Sequence, residues 1–267
     1  MHGFKSKYVA PGNIFFVSFT SYYLPAAIEQ KTKIAFPSEK IESTLGKIVS
    51  DARMNQYRIA ESEKYPHISY FFNCGHEDPF PGEERVIVKS PEVSNYAGKP
   101  EMSAQELTDK LIRAIKSKKY HFILVNYANV DSIGHSGDLI ATTKAVSFVD
   151  ECISRVFDAI SEVDGTLIIT ADHGNAEQMI QTSKTNDRET FHSLSPVPFI
   201  LVRSDLTGKG KGLIFGGDIL SSMIAAKETL ADIAPTILEL LEISIPATMT
   251  GTSLLSKIIV NQGAEDE

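Results

Sequence analysis

The chain has 267 residues, 42 % of them hydrophobic and 22 % charged, which is ordinary globular usage and excludes a collagen-like repeat, a coiled coil or a disordered polymer. Its longest apolar runs are a few residues, as at Phe122–Val125, far short of the roughly 18–20 that span a bilayer. Acidic residues outnumber basic ones by 34 to 26, a net charge of −8. Such a chain repels a polyanion, so nucleic acid is a poor partner and a phosphate ligand needs bound cations.

Lys5 and Lys7 are not followed by an apolar stretch with a small-residue cleavage site, so no secretory signal is read. The two cysteines, Cys74 and Cys152, make no disulfide framework and no metal-ligand spacing. The expectation is a reducing, cytoplasmic location.

In chain order, Asn13–Thr20 reads as a strand, Ser43–Arg53 as a helix, His67–Asn73 as a strand with Ile68, Tyr70 and Phe72 on one face, and Arg85–Lys89 as another strand. Ser103–Lys118 has the best helix-start signal. Ser103 is placed as N-cap, Glu106 follows as in a capping box, and Leu107, Leu111, Ile112 and Ile115 form a stripe. Phe122–Asn126 reads as a buried strand. Leu139–Ser161 reads as a helix with Ala145, Phe148, Val149, Cys152 and Val156 on one side, Cys152 being core packing.

Thr166–Thr170 is a further buried strand, Val197–Val202 another, Ala226–Leu241 a helix, and Gln262–Glu267 a frayed tail. Gly208–Gly217 matches no phosphate-loop pattern and reads as a connector. Short β-branched runs alternating with helical segments predict an α/β fold, a mostly parallel sheet flanked by helices.

Groups able to bind a metal gather after two of these strands and before a third. Asp131 and His135 are four apart, a spacing that puts both on one face of a helical turn. Carboxylate plus imidazole suits Mn²⁺ or Zn²⁺ once a third ligand joins. Asp172-His173 directly follows an apolar strand, where such groups need a partner; an Asp cap with His173 exposed fits the same residues. His192 precedes Val197–Val202. Elsewhere His2 and His121 read as surface or strand-edge positions, His67 as packing at a strand start, and His76 as a loop residue.

VNYANVDSIGHSG, LIITADHGNAEQM and HSLSPVPFILV, in this order, resemble the metal-binding segments of the cofactor-independent phosphoglycerate mutase family, within the alkaline-phosphatase-like superfamily. AESEKYPHISYFFNCGHEDPFPGEER, VKSPEVSNYAGKPEMSAQELTDKL, LADIAPTILELL and MTGTSLL resemble it too, so the likeness runs over roughly residues 13–256. It implies a site with two Mn²⁺ ions: Asp131, His135 and His192 for one, Asp172 and His173 as part of the set for the other. Lys64 of EKYPH would be the catalytic lysine; read alone it is a solvated surface lysine. The resemblance also implies no requirement for 2,3-bisphosphoglycerate.

The same resemblance implies interconversion of 3-phosphoglycerate and 2-phosphoglycerate, in glycolysis, through a phosphoserine. No residue here matches the serine; Ser136 and Ser193 adjoin ligands but lie in no matching segment. Glu189 stands where the family usually has a second His, Ser195 where it has Asn, and Val130 where it has Pro.

Residues 1–267 are therefore expected to be the C-terminal part of a phosphatase-type metal-binding domain, lacking the N-terminal strand segment and the inserted domain. Residues 1–12 would be a hinge remnant and 258–267 a flexible tail. The chain would be an excised fragment, a mis-assigned gene start or one half of a split enzyme, inactive alone, with a separate N-terminal half and phosphoglycerate as partners. Another mutase or phosphatase of the superfamily, or a non-catalytic metal-binding subunit, are the alternatives.

Overall fold

The computed structural model describes residues 15–20, 32–37, 41–179, 188–206 and 228–260. The expected hinge remnant 1–12, the strand start Asn13-Ile14, the connector Gly208–Gly217, the helix start at Ala226 and His2 lie outside them. Of the expected tail only 258–260 are described. The chain forms two units, Met1–Ile41 and Glu42–Glu267. In the first, β1 (Phe16–Ser18) pairs in parallel with β2 (Thr32–Ile34), and the Phe19 and Phe36 rings stack at 6.2 Å.

The second unit is built around a parallel three-stranded sheet in the order β4-β3-β5: β3 is Gln56–Glu61, β4 Glu83–Val88 and β5 Phe122–Asn126. Side chains alternate along these strands with period two. Tyr57, Ile59, Ile123 and Val125 face one cluster with Leu107, Leu111 and Ile115 of α3 (Ala104–Lys116) and Val156 and Ala159 of α5 (Leu139–Glu162). Phe122 and Leu124 face the other, with Leu45 and Val49 of α1 (Leu45–Asp51) and Leu238 of α6 (Ile233–Leu240). Helices thus cover both faces, which is why β3 is buried along its whole length.

β3 went unread in the sequence because QYRIAE shows no apolar run. Its polar residues are buried, and all but Glu61 Oε2 find hydrogen-bond partners among the described residues. The Gln56 amide donates to the Gly46 carbonyl at 2.8 Å, and Arg58, fully buried, donates to Gln56 Oε1, the Ile68 carbonyl and Asn73 Oδ1 and pairs with Glu83 at 3.1 Å.

His67–Asn73 is not a strand. Pro66 opens a one-turn helix, α2 (Tyr65–Ile68), and the bonds from Phe71 N to Pro66 O and from Asn73 N to Ser69 O, both 2.9 Å, continue the turning backbone. Proline in the first turn fixes a helical φ at no hydrogen-bond cost, and both ladder sides of β3 are already taken by β4 and β5. His67 accordingly sits on α2 rather than at a strand start.

The helix over 103–118 is present, but without the expected capping box: Ser103 Oγ donates to the Lys89 carbonyl and its amide to Glu61 Oε1. α1 is capped instead by Thr44, whose hydroxyl accepts from Lys47 N. Cys152 is core, as expected.

β6 (Leu167–Thr170) pairs antiparallel with β7 (Phe199–Val202), and both are only half-buried. The expected C-terminal helix starts late, as a turn at Leu230–Asp232 leading into α6. Thr229 and Asp232 form a reciprocal capping box there, and Asp232 also accepts from Thr252 N at 2.7 Å, tying in the loop before α7 (Leu255–Val260).

These backbone bonds from Thr229 and Thr252 hold the Asp232 carboxyl below its ordinary range. A depressed native pKa adds stability that is complete above about pH 4 and is lost as pH falls through the native value. Asp232→Ala is therefore expected to cost about 2 kcal/mol at neutral pH. Urea melts should show that gap closing as pH falls below about 4.

Candidate metal centre

β3 and β5 run parallel, so their carboxyl ends open on one edge, where ligands of α/β sheets bind. From β3 the chain enters the turn Ser62–Lys64, and from β5 it enters α4 (Asn129–Gly134), which carries Asp131 with His135 next beyond it. Because β7 is antiparallel to β6, the residues before β7 lie beside those after β6. An isolated bridge between Gly174 and Ser193 extends that pairing, bringing His192 to His173.

Asp131 is the hub. Its Oδ1 lies 3.2 Å from His135 Nε2, 3.1 Å from His192 Nε2 and 3.9 Å from His173 Nε2, and its Oδ2 pairs closely with Lys64 Nζ. The His135 and His192 Nε2 atoms are 3.1 Å apart, and the His173 and His192 rings stack at 3.5 Å. Burial works against the Asp131 charge, but Lys64, His135 and His173 outweigh it and hold the carboxyl below its ordinary range.

Two tautomers follow from the hydrogen bonds. His135 Nδ1 meets the Thr190 carbonyl at 2.6 Å and His173 Nδ1 the Gly174 carbonyl at 3.3 Å. A carbonyl only accepts, so each Nδ1 carries a proton, and it is Nε2 that each ring turns inward, offering a lone pair whenever that nitrogen is unprotonated. Lone pairs of several imidazoles beside one carboxylate repel unless a cation lies between them. Asp131, His173 and His192 offer donor atoms all within 4.8 Å of one another. The donor set fits a divalent metal cofactor.

The expected residues thus come together, with one rearrangement. His173, assigned by resemblance to a second ion, joins Asp131 and His192, whereas Asp172 stays at the rim, 60 % exposed and 3.6 Å from His173 Nε2. Lys64 is brought to Asp131, not left in solvent. Ser136 and Ser193 both have engaged hydroxyls, Ser136 donating to the Ile133 carbonyl within a turn and Ser193 to Glu177 of another loop.

Of the neighbours, Asn175 and His67 escaped the sequence reading as site groups, whereas Glu189 was singled out there. Asn175, nearly buried, donates from Nδ2 to Asp131 Oδ1 at 3.3 Å, and it fits because Gly134 is opposite: a Cβ there would lie 2.3 Å from Asn175 Oδ1. Glu189 Oε1 accepts from the Thr190 and Phe191 amides, shaping the turn that presents the Thr190 carbonyl to His135. His67 has a buried Nδ1 without a hydrogen-bond partner among the described residues. Burial and then Lys64 lower its pKa, against Asp172 and Asp131.

The chain belongs to the metalloenzyme superfamily, whose family model matches residues 25–245. Its relatives are more particular. The 2,3-bisphosphoglycerate-independent phosphoglycerate mutase of Gloeobacter violaceus is 44 % identical over 257 residues, 96 % of this chain and 45 % of that protein. The enzyme of the same description from Vesicomyosocius okutanii is 47 % identical over 226 residues, 84 % of this chain and 41 % of its own.

Among solved structures, Leishmania mexicana phosphoglycerate mutase at low cobalt concentration superposes with a TM-score of 0.72 at 27 % identity, over 88 % of this chain and 43 % of that one. A 2-O glycosaminoglycan sulfatase shares the fold at 12 % identity and a TM-score of 0.51, over 83 % of this chain and 58 % of that one. The chain spans less than half the length of the curated relatives it matches.

Proposed function

We propose that the chain is the metal-binding part of a cofactor-independent phosphoglycerate mutase, an isomerase that interconverts 3-phosphoglycerate and 2-phosphoglycerate through a phosphoserine. The observation that carries this reading is the convergence of Asp131, His135, His173 and His192 on one point with Lys64 on the second Asp131 oxygen. Asp131, His135 and His192 would hold one Mn²⁺, and Asp172 and His173 would contribute to a second. Bound ions would polarise phosphoryl oxygens and neutralise charge developing on them.

The chain's own residues prepare that chemistry. Thr190 and Gly174 carbonyls fix which imidazole nitrogen faces inward, Asn175 steadies Asp131, and Lys64 adds positive charge where a transferring phosphoryl group gathers negative charge. A chain of net charge −8 has no general attraction for phosphoglycerate, so the local cations would carry that recognition.

The serine nucleophile and the groups gripping the glycerate would come from the part of the relatives' length that these 267 residues do not span. An entry point for it is available: in the described sheets β5 and β6 each keep one edge without a strand partner, where a further strand can add. We expect no mutase turnover from the 267-residue chain in an enolase-coupled assay with Mn²⁺. Turnover should return on mixing with a polypeptide supplying the N-terminal half of a relative. Robust turnover by the chain alone would overturn the split-site reading.

A further inference from the structure

We propose that Glu177 is a positioning residue for the metal centre, a clasp joining the loop of His173 to the loop of His192. This rests on the metal-site reading above and adds to it what holds the two histidine loops in register. They belong to distant stretches of chain, and among the described residues two backbone bonds join them, Ser193 N donating to the Gly174 carbonyl at 2.8 Å and Glu189 N to the Met179 carbonyl at 2.9 Å. Of these only the first lies beside the two histidines, and one such bond beyond a short, half-buried strand pair is a weak hold.

Glu177 reinforces it from the side. Its Oε1 takes the Ser193 hydroxyl in a close hydrogen bond, its Oε2 takes the Asn175 amide at 2.8 Å, and Ser193 Oγ in turn accepts from Ser195 N at 3.2 Å. One carboxylate therefore binds the residue just after His192 and the residue two beyond His173. Asn175, whose backbone it holds, is the residue that donates to Asp131.

Gly174 leaves room for the clasp. A Cβ there would lie 2.2 Å from Ser193 Oγ and 2.3 Å from Glu177 Oε1, so the pair meets in the space a side chain would fill. Burial opposes the Glu177 charge, yet the Ser193 and backbone donors prevail and keep the carboxyl ionised. An ionised acceptor makes the stronger hydrogen bonds. Neither Glu177 nor Ser193 is among the groups that converge on Asp131, so the effect on the metal runs through the loops.

The test uses the full chain with two measurements. In the metal-free protein, hydrogen exchange at the Ser193 amide should accelerate in Glu177→Ala, in Ser193→Ala and in Gly174→Ala, which displaces the pair without removing either partner. In Mn²⁺ titration followed by the loss of the free-ion resonance, Glu177→Ala and Ser193→Ala should each weaken affinity about tenfold. The double variant should be no weaker than either single one, because both break the same link. Glu177→Gln, which keeps one acceptor oxygen, should recover part of the loss.

Unchanged exchange, affinities within about twofold of wild type, or effects that multiply in the double variant would each overturn the clasp. A wild-type chain that takes up no Mn²⁺ overturns the metal-site reading instead, and the exchange arm still decides the clasp.

Discussion

Asp131→Asn is expected to weaken divalent-metal binding by at least about a hundredfold, beyond the 10- to 100-fold typical of losing an outer partner of a ligand. Asp131 supplies the carboxylate against which all three imidazole nitrogens are placed, and its charge alone offsets Lys64 at the centre. The amide keeps the shape and removes the charge, so the loss would be electrostatic. Lys64 is left half-buried without its partner, which should also cost about 1–2 kcal/mol in the metal-free chain. Asp172→Asn, by contrast, alters a rim carboxylate exposed to 60 % and should change the affinity for a first ion far less. Calorimetric titration of the two variants side by side separates a hub from a rim position.

Arg58→Ala should be among the most destabilising single changes in the chain, by about 3–5 kcal/mol. That corresponds to a fall in melting temperature on the order of 10 °C. The Arg58 and Glu83 side chains are both fully buried, and Arg58 also satisfies Gln56, Asn73 and the Ile68 carbonyl. Removing it strands several acceptors at once, with Arg85 the remaining cation on Glu83. Burial brings the Arg58 pKa down to about 10, against the pull of Glu83, which still leaves it charged at neutral pH.

The hole would not stay local. The Ile68 carbonyl is the end of α2, the short helix that follows Lys64, so the same guanidinium braces the segment presenting the lysine. Gly46→Ala should give a milder version, because its Cβ would lie 2.0 Å from Arg58 Nη2. Thermal melts of the two variants, with Lys47→Ala as an exposed control, test this ranking.

The same residues explain what the sequence could and could not disclose. Helices α3 and α5 and strands β5, β6 and β7 show in their periodicity because each presents an apolar stripe or run. β3 breaks that rule: Gln56, Arg58 and Glu61 are core residues whose partners, Gly46, Asn73, Glu83 and Ser103, are set by tertiary contact. The aromatic run at 67–73 misled in the opposite sense, since Pro66 and an already full ladder decide its conformation.

At the site, the residue types that converge and their order along the chain were legible through resemblance. The approach of His173 to Asp131 was not, because it depends on β6 and β7 pairing antiparallel. Asn175, Thr190 and Glu177 were invisible for a related reason: they act through one hydrogen bond each to a distant loop or through a backbone carbonyl.

The central claim is that Asp131 and the histidines around it form a cation site within this chain. Its most direct measurement is a titration of the metal-free 267-residue protein with Mn²⁺, counting bound ions from the electron paramagnetic resonance signal of those left free. One ion should be taken up saturably per chain, and that uptake should be lost in Asp131→Asn. Uptake that never saturates, or that persists unchanged in Asp131→Asn, would contradict the claim.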